Sequence, residues 1–174
     1  MIVVSSGAIS AVKTIEVSSL DLRKHWTYRF IFRGQVSGDG ATEFLMQLNG
    51  ITAVTSYMTI VNSTRWNGSA EALANFHYNT SAGAVLGFSY DDLQSHLFTD
   101  VTIKRGRIGS LVDFAVLSVF GKVADGKFYS WMSTSHMPDV NIDVISLKLL
   151  LSNAGLTYTG DYWLLREAIE DTRP

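Results

Sequence analysis

Residues Ile145 to Arg166 read ISLKLLLSNAGLTYTGDYWLLR, and their pattern decides the fold class. Ile145, Leu147, Leu149 and Leu151 share one parity with Ser146 and Lys148 between them, the period-2 signature of a strand with one buried face. Ser152, Asn153, Ala154 and Gly155 then supply turn chemistry, since Asn and Gly tolerate positive φ. A second short strand follows around Asp161 to Leu165. The pair reads as a closing hairpin whose leucine side faces another sheet.

The same alternation recurs toward the N-terminus. Val12 to Val17 is a weak first strand with Ile15 and Val17 inward. Trp26, Tyr28, Phe30 and Phe32 share a parity in a segment expected to end at Gly34; aromatic side chains suit a pleated surface. Phe44, Met46 and Leu48 alternate with Glu43, Leu45 and Gln47 up to Asn49-Gly50, a favoured turn pair. Tyr57, Thr59 and Val61 follow, apolar on both parities with Met58 and Ile60, which fits a strand covered on both faces or meeting a neighbour.

Residues Asn62 to Ser95 are less regular. Asn, Ser and Gly cluster around Trp66 and around Thr80 to Gly83, a short helical turn is expected at Ala70 to Ala74, and Phe76 to Tyr78 and Val85 to Tyr90 read as short strands. Order returns with Leu97, Thr99, Val101 and Ile103, closed by Arg105-Gly106-Arg107, and then with Phe114 to Phe120. Ala124-Asp125-Gly126-Lys127 is an Asp-Gly hairpin signal leading into Phe128 to Ser133, with a loop expected over Thr134 to Pro138. Leu164 to Glu170 could extend into a helical turn. Roughly eight to ten short strands, little helical periodicity and only two prolines point to an all-β, antiparallel two-sheet β-sandwich of jelly-roll type. The expected organisation is an N-terminal arm over residues 1–10, one sandwich domain over 11–170 and a frayed tail over 171–174. The arm, Ser5 to Ser10 in particular, is expected to tether the chain by pairing along a neighbouring edge strand.

Composition bounds the function. The chain has 174 residues, 47% of them apolar, enough for a sizeable core. Charged residues are 17% with a net charge of −2, so no basic nucleic-acid footprint and no acidic tail is present. A mean hydropathy of +0.15 with so few charges implies that some apolar surface meets another subunit. The absence of cysteine removes disulfides, thiolate metal sites and a cysteine nucleophile, leaving stability to packing. Residues 1–10 carry no basic leader and nothing reaches transmembrane length; cytoplasmic synthesis and no membrane partner are the expectations. Sequons at Asn62, Asn67 and Asn79 then read as polar loop composition.

Recognisable chemistry is sparse. His25, His77, His96 and His136 lack ligand spacing and read as single solvent-facing or hydrogen-bonded histidines rather than a metal site. Asp91-Asp92 is an adjacent carboxylate pair without the surrounding pattern of a calcium loop. Glu16 and Glu43 lie on strand-like segments but on the outward parity, so a glycosidase pair is the weaker reading. No nucleophile elbow, phosphate loop or dinucleotide fingerprint occurs, and Gly106 and Gly109 are too few for a phosphate cradle. Lys104, Arg105 and Arg107 read as a solvated turn, or next as a salt bridge to a subunit. No catalytic residue, cofactor or metal is assigned. Trp26, Trp131 and Trp163 fall on strands and read as core or interface anchors. Trp66, in a polar stretch, is the best single candidate for a ligand or partner contact.

Several short signatures occur in a suggestive order: Tyr28-Arg29-Phe30-Ile31-Phe32-Arg33-Gly34, then Leu48-Asn49 followed by Tyr57, then Ile145-Ser146-Leu147, then Thr159-Gly160 before Leu164-Leu165-Arg166. This order resembles small jelly-roll structural proteins of tailed bacteriophage particles and covers most of the chain apart from Asn62 to Ser95. Gly160-Asp161 stands where such proteins often have Gly-Ser, and no fibre-like repeat or long anchoring arm is present, so capsid and tail locations both stay open. The resemblance implies a non-enzymatic virion component, a capsid decoration or a tail or fibre part, made in the host cytoplasm and incorporated in the particle. It implies a symmetric homo-oligomer, often a trimer, that contacts other virion proteins. Two rivals accompany this expectation: a carbohydrate-binding or receptor-binding module reading a glycan through Trp66, and a sandwich-fold glycoside hydrolase or lyase.

Overall fold

The computed structural model describes residues 1–21, 27–38, 40, 42–52, 57–66, 71–78, 82–89, 94–105, 112–122, 127–137 and 144–167. Among these residues there are twelve strands and no helix: β1 (Ile2–Val12), β2 (Thr14–Ser18), β3 (Thr27–Ser37), β4 (Thr42–Leu48), β5 (Met58–Trp66), β6 (Glu71–Tyr78), β7 (Ala84–Ser89), β8 (Gln94–Arg105), β9 (Val112–Lys122), β10 (Lys127–Met137), β11 (Ser146–Leu151) and β12 (Thr157–Arg166).

They form two antiparallel sheets, an eight-stranded one in the order β1-β12-β3-β8-β9-β10-β5-β6 and a four-stranded one in the order β2-β11-β4-β7. The architecture is clearest with the β5–β6 and β9–β10 hairpins set aside. What remains is β1-β12-β3-β8 facing β2-β11-β4-β7, with the chain passing between the sheets at nearly every step. That is the jelly-roll arrangement expected from the sequence. The two hairpins extend the larger sheet beyond β8 and pack over β7. There Thr59 Oγ1 accepts a hydrogen bond from the Val85 N–H at 3.2 Å, satisfying a donor on the outermost strand of the small sheet and covering an otherwise open edge.

The core lies between the two four-stranded halves and is built by parity. Phe30, Phe32, Val101, Tyr158 and Leu164 enter from the large sheet, and Phe44, Met46, Leu48, Leu147 and Leu149 from the small one, all essentially buried. Each of the aliphatic and phenylalanine side chains among them contributes about 1.5–3 kcal/mol by leaving water. Phe32 meets Tyr158 edge-on with ring centroids 5.4 Å apart, and Phe30 stacks on Tyr162 at 6.2 Å. The Leu48-Asn49-Gly50-Ile51 turn forms as its sequence predicts, with φ of 52° at Asn49 and 67° at Gly50 and a 2.9 Å bond from Ile51 N–H to Leu48 carbonyl. Tyr57 locks it: its hydroxyl accepts from Leu48 N–H at 2.9 Å and donates to Ile51 carbonyl at 3.2 Å.

The structure corrects several local expectations. β11 and β12 are not a hairpin but lie in different sheets. Residues 152–156 cross from one sheet to the other, held by Asn153, whose Oδ1 accepts from Gly155 N–H at 2.9 Å; the local Asn-Gly chemistry of a hairpin serves an intersheet corner equally well. Ile145 precedes β11 and is 55% exposed while Val144 is buried, because its backbone is diverted to Asn49 Oδ1 and Leu20 N–H before the ladder begins. Neither Gly34 nor Gly160 ends a strand; both sit inside β3 and β12, opposite one another.

The segment expected as an N-terminal arm, residues 1–10, runs in β1 along β12. Its half-buried side is Ser5, Gly7 and Ile9, of which only Ile9 is apolar and large, too little to show a hydrophobic period. Val12 ends β1 rather than starting the next strand, and the β1–β12 register shifts between Ile9 and Val12, where Ala11 has a φ of 51°. The helical turn expected over Ala70 to Ala74 is strand from Glu71 onward, and the loop expected from Thr134 is strand through Met137, since ladder pairing to β5 and β9 overrides weak local preference. Leu164 to Arg166 likewise continue β12. Residues 168–170, the tail 171–174, Asp91-Asp92, Gly106, Arg107, Gly109, His25 and Trp26 lie outside the described residues.

Candidate binding groove on the large sheet

Alternation in β3, β8 and β12 sends one set of side chains into the core and the other to the outer face of the large sheet. The outer set is Arg29, Ile31, Arg33 and Gln35 from β3, His96, Phe98 and Asp100 from β8, and Thr159, Asp161 and Trp163 from β12. Register arranges them in rows: Asp161, Arg33 and Phe98 stand directly across from one another, as do Thr159, Gln35 and His96. Directly opposed residues share a face and approach within about 4.5–5.5 Å at Cβ.

Within this face lies a groove of about 880 Å³, lined by Arg33, Gln35, His96, Phe98, Asp161 and Trp163 and floored by the backbone at Gly34 and Gly160. Its volume falls in the range of roughly 300–1,000 Å³ that small-ligand sites occupy. The opposed glycines bring β3 and β12 together: a Cβ on Gly34 would lie 2.2 Å from Thr159 carbonyl oxygen, and one on Gly160, where φ is +152°, 2.4 Å from Arg33 carbonyl oxygen. Only glycine tolerates that approach.

Two neighbouring charges are already engaged. Arg29 Nε donates to Asp100 Oδ1 at 2.8 Å and its Nη2 to Asp100 Oδ2, a bidentate pair. The hydrogen bonds, and then the charge of Asp100, raise the Arg29 pKa above its ordinary value. Arg33 and Asp161 differ: they face each other across β3 and β12 yet form no ion pair, and both are exposed. Gln35 and His96 likewise make no side-chain hydrogen bond among the described residues. The groove thus offers a cation, a carboxylate, an amide and an imidazole with their hydrogen-bonding capacity turned to solvent, flanked by Phe98, 38% exposed, and the half-buried Trp163.

The residues singled out in the sequence are distributed otherwise. Trp66 is not in a loop; it is the last residue of β5, opposite Phe128 of β10 and Glu71 of β6. Its row reaches His96 through Phe128 and Gly121, three strand spacings or roughly 14 Å away. The row of His77 meets β8 at Thr102 and that of His136 meets it at Lys104, so these histidines stand apart from His96. Among the described residues no group of three or more His, Asp or Glu side chains is placed to hold a metal ion. Glu16 shares a row with Lys148 and Gln47, while Glu43 lies further along β4. Their backbones are separated by roughly 16 Å on ordinary sheet spacings, too far for a glycosidase pair.

The groove itself was not foreseen, because Arg33 and Asp161 are distant in sequence and only the β3–β12 register makes them neighbours. A signal was present in Arg33-Gly34 and Gly160-Asp161, two charge–glycine steps of opposite order inside alternating strands. Set against protein-family models and against curated proteins, the chain matches none.

Proposed function

We propose that this chain is a structural protein of a tailed-bacteriophage particle, a capsid decoration or a tail or fibre component, working by self-association and attachment rather than by catalysis. The observation that carries the reading is the outer edge of the large sheet. β1 pairs only with β12 among the described residues, so one side of its backbone ladder is open. Along it Met1, Ile2, Val3 and Val4 are 65%, 46%, 57% and 36% exposed.

An exposed edge strand that opens on three consecutive apolar residues, preceded by Met1, is a liability for a monomer and a ready surface for another chain. Main-chain hydrogen bonds supply the pairing and the apolar side chains supply burial, at about 25 cal/mol per Å² before the costs of association. A jelly roll held by packing alone, without cysteine, suits a part that must persist outside a cell. The resemblance described for Tyr28 to Gly34, Leu48-Asn49 with Tyr57, Ile145 to Leu147 and Thr159 to Arg166 supports this class of particle, whose members are often trimers.

Sedimentation velocity on the purified chain tests the association. The wild-type chain is expected to sediment as a discrete oligomer, and an Ile2→Lys, Val3→Lys double variant with an unchanged circular dichroism spectrum as a monomer. A wild-type chain that stays monomeric at the highest attainable concentration, or a double variant that assembles as wild type does, contradicts self-association through this edge.

A further inference from the structure

We propose that the groove over Gly34 and Gly160 binds a neutral carbohydrate, with Arg33, Asp161, Gln35 and His96 reading hydroxyl groups and Phe98 and Trp163 meeting the apolar faces of the sugar rings. This goes beyond the structural role, and the groove lies away from the exposed apolar end of β1: Val3 pairs with Leu165, whereas the groove is centred on Thr159 to Asp161.

The argument is one of chemical fit. Four polar side chains of different kinds converge on one groove and make no ion pair or side-chain hydrogen bond among the described residues. Arg29 and Asp100, by contrast, on the same face, satisfy each other. A sugar needs this mixture, because each hydroxyl both donates and accepts. Guanidinium and carboxylate groups can each take two hydroxyls, and aromatic rings cover the C–H faces.

Other ligand classes fit less well. A bound anion would face Asp161 directly across from Arg33, so the one guanidinium among the six lining side chains is offset by a carboxylate. A nucleic-acid strand would need a basic track, and the net charge of the chain is −2. A peptide adding as a strand would need an open ladder, whereas β3 is paired on both sides, by β12 and β8. A neutral polyhydroxylated ring is the class whose hydroxyls can both donate to and accept from these lining groups.

The test is a titration of the full chain against a panel of neutral oligosaccharides ending in glucose, galactose, mannose or N-acetylglucosamine, read by saturation-transfer NMR. Asp161→Asn and Arg33→Gln alter exposed side chains that the fold does not use and are confirmed folded by circular dichroism. At least one oligosaccharide is expected to bind wild type, with roughly three- to tenfold loss in each variant, while Trp66→Ala binds as wild type. Absence of binding by every sugar at about 10 mM, weaker than any Kd of use to a multivalent particle, would overturn the proposal. So would equal binding by the groove variants, or loss confined to Trp66→Ala. None of these outcomes bears on assembly through β1, which sedimentation reads separately.

Discussion

Gly34 stands directly opposite Gly160 where β3 and β12 pair, and the two strands approach so closely there that a side chain on either would strike the backbone of the other. Gly34→Ala would set a methyl group 2.2 Å from Thr159 carbonyl oxygen and 2.7 Å from Phe32 Cζ. Gly160→Ala would meet Arg33 carbonyl oxygen at 2.4 Å, at a φ of +152° that L-residues avoid. Each is expected to destabilise the fold by about 2–4 kcal/mol in urea unfolding. A loss below about 0.5 kcal/mol would show that the strands can separate.

Tyr158 is wholly buried against Phe32, and its hydroxyl has no hydrogen-bond partner among the described residues. A buried polar atom without a partner costs roughly 1–3 kcal/mol. Tyr158→Phe keeps the ring and removes that atom, so thermal unfolding should occur at the same temperature or higher. Tyr57→Phe is its opposite. It strips the partner from the buried Leu48 N–H and should cost about 1–3 kcal/mol.

The same two tyrosines set an alkaline limit. Burial raises the pKa of Tyr57, partly offset by the hydrogen bond from Leu48, and burial raises that of Tyr158 well above the ordinary value of 10.0. In the unfolded chain both ionise near pH 10, where the folded chain still holds its protons. Their contribution is therefore complete below about pH 10 and is lost as pH rises toward the folded values, by about 1.4 kcal/mol per unit for each tyrosine. Urea midpoints measured from pH 8 to 11.5 should fall above pH 10, and less steeply in Tyr158→Phe. A flat profile would contradict the burial of both phenols.

Parity in β11 gives a paired contrast. Leu147 is 0% exposed and Ile145 is 55% exposed, although they stand two residues apart on what the sequence presents as one face. Leu147→Ala should cost about 2–5 kcal/mol, and Ile145→Ser should fall within roughly 0.5 kcal/mol of wild type. Equal costs would mean that the ladder begins before Ser146.

The fold was legible where one parity is apolar and large. Phe30 and Phe32, Phe44, Met46 and Leu48, then Leu97, Thr99, Val101 and Ile103, and Leu147, Leu149 and Leu151 all face the core as their alternation predicts. It was not legible where the alternating residues are small or polar. β1 begins its half-buried side with Ser5 and Gly7 before Ile9, and β6 and the end of β10 owe their strand character to neighbours in the ladder rather than to local preference. Glycine misled for a related reason: Gly34 and Gly160 look like stops in a single chain and become necessary only where two strands meet. The groove depends on the same meeting, so no local pattern could announce it, while Trp66 drew attention through the polar residues around it.

The proposed place of the chain in a tailed phage particle is tested most directly by quantitative mass spectrometry of phage particles purified from a lysate in which its gene is expressed. The chain is expected in fixed, multiple copies relative to the major capsid protein, retained through density-gradient purification. Its presence in the infected-cell lysate together with its absence from the purified particles would contradict the account.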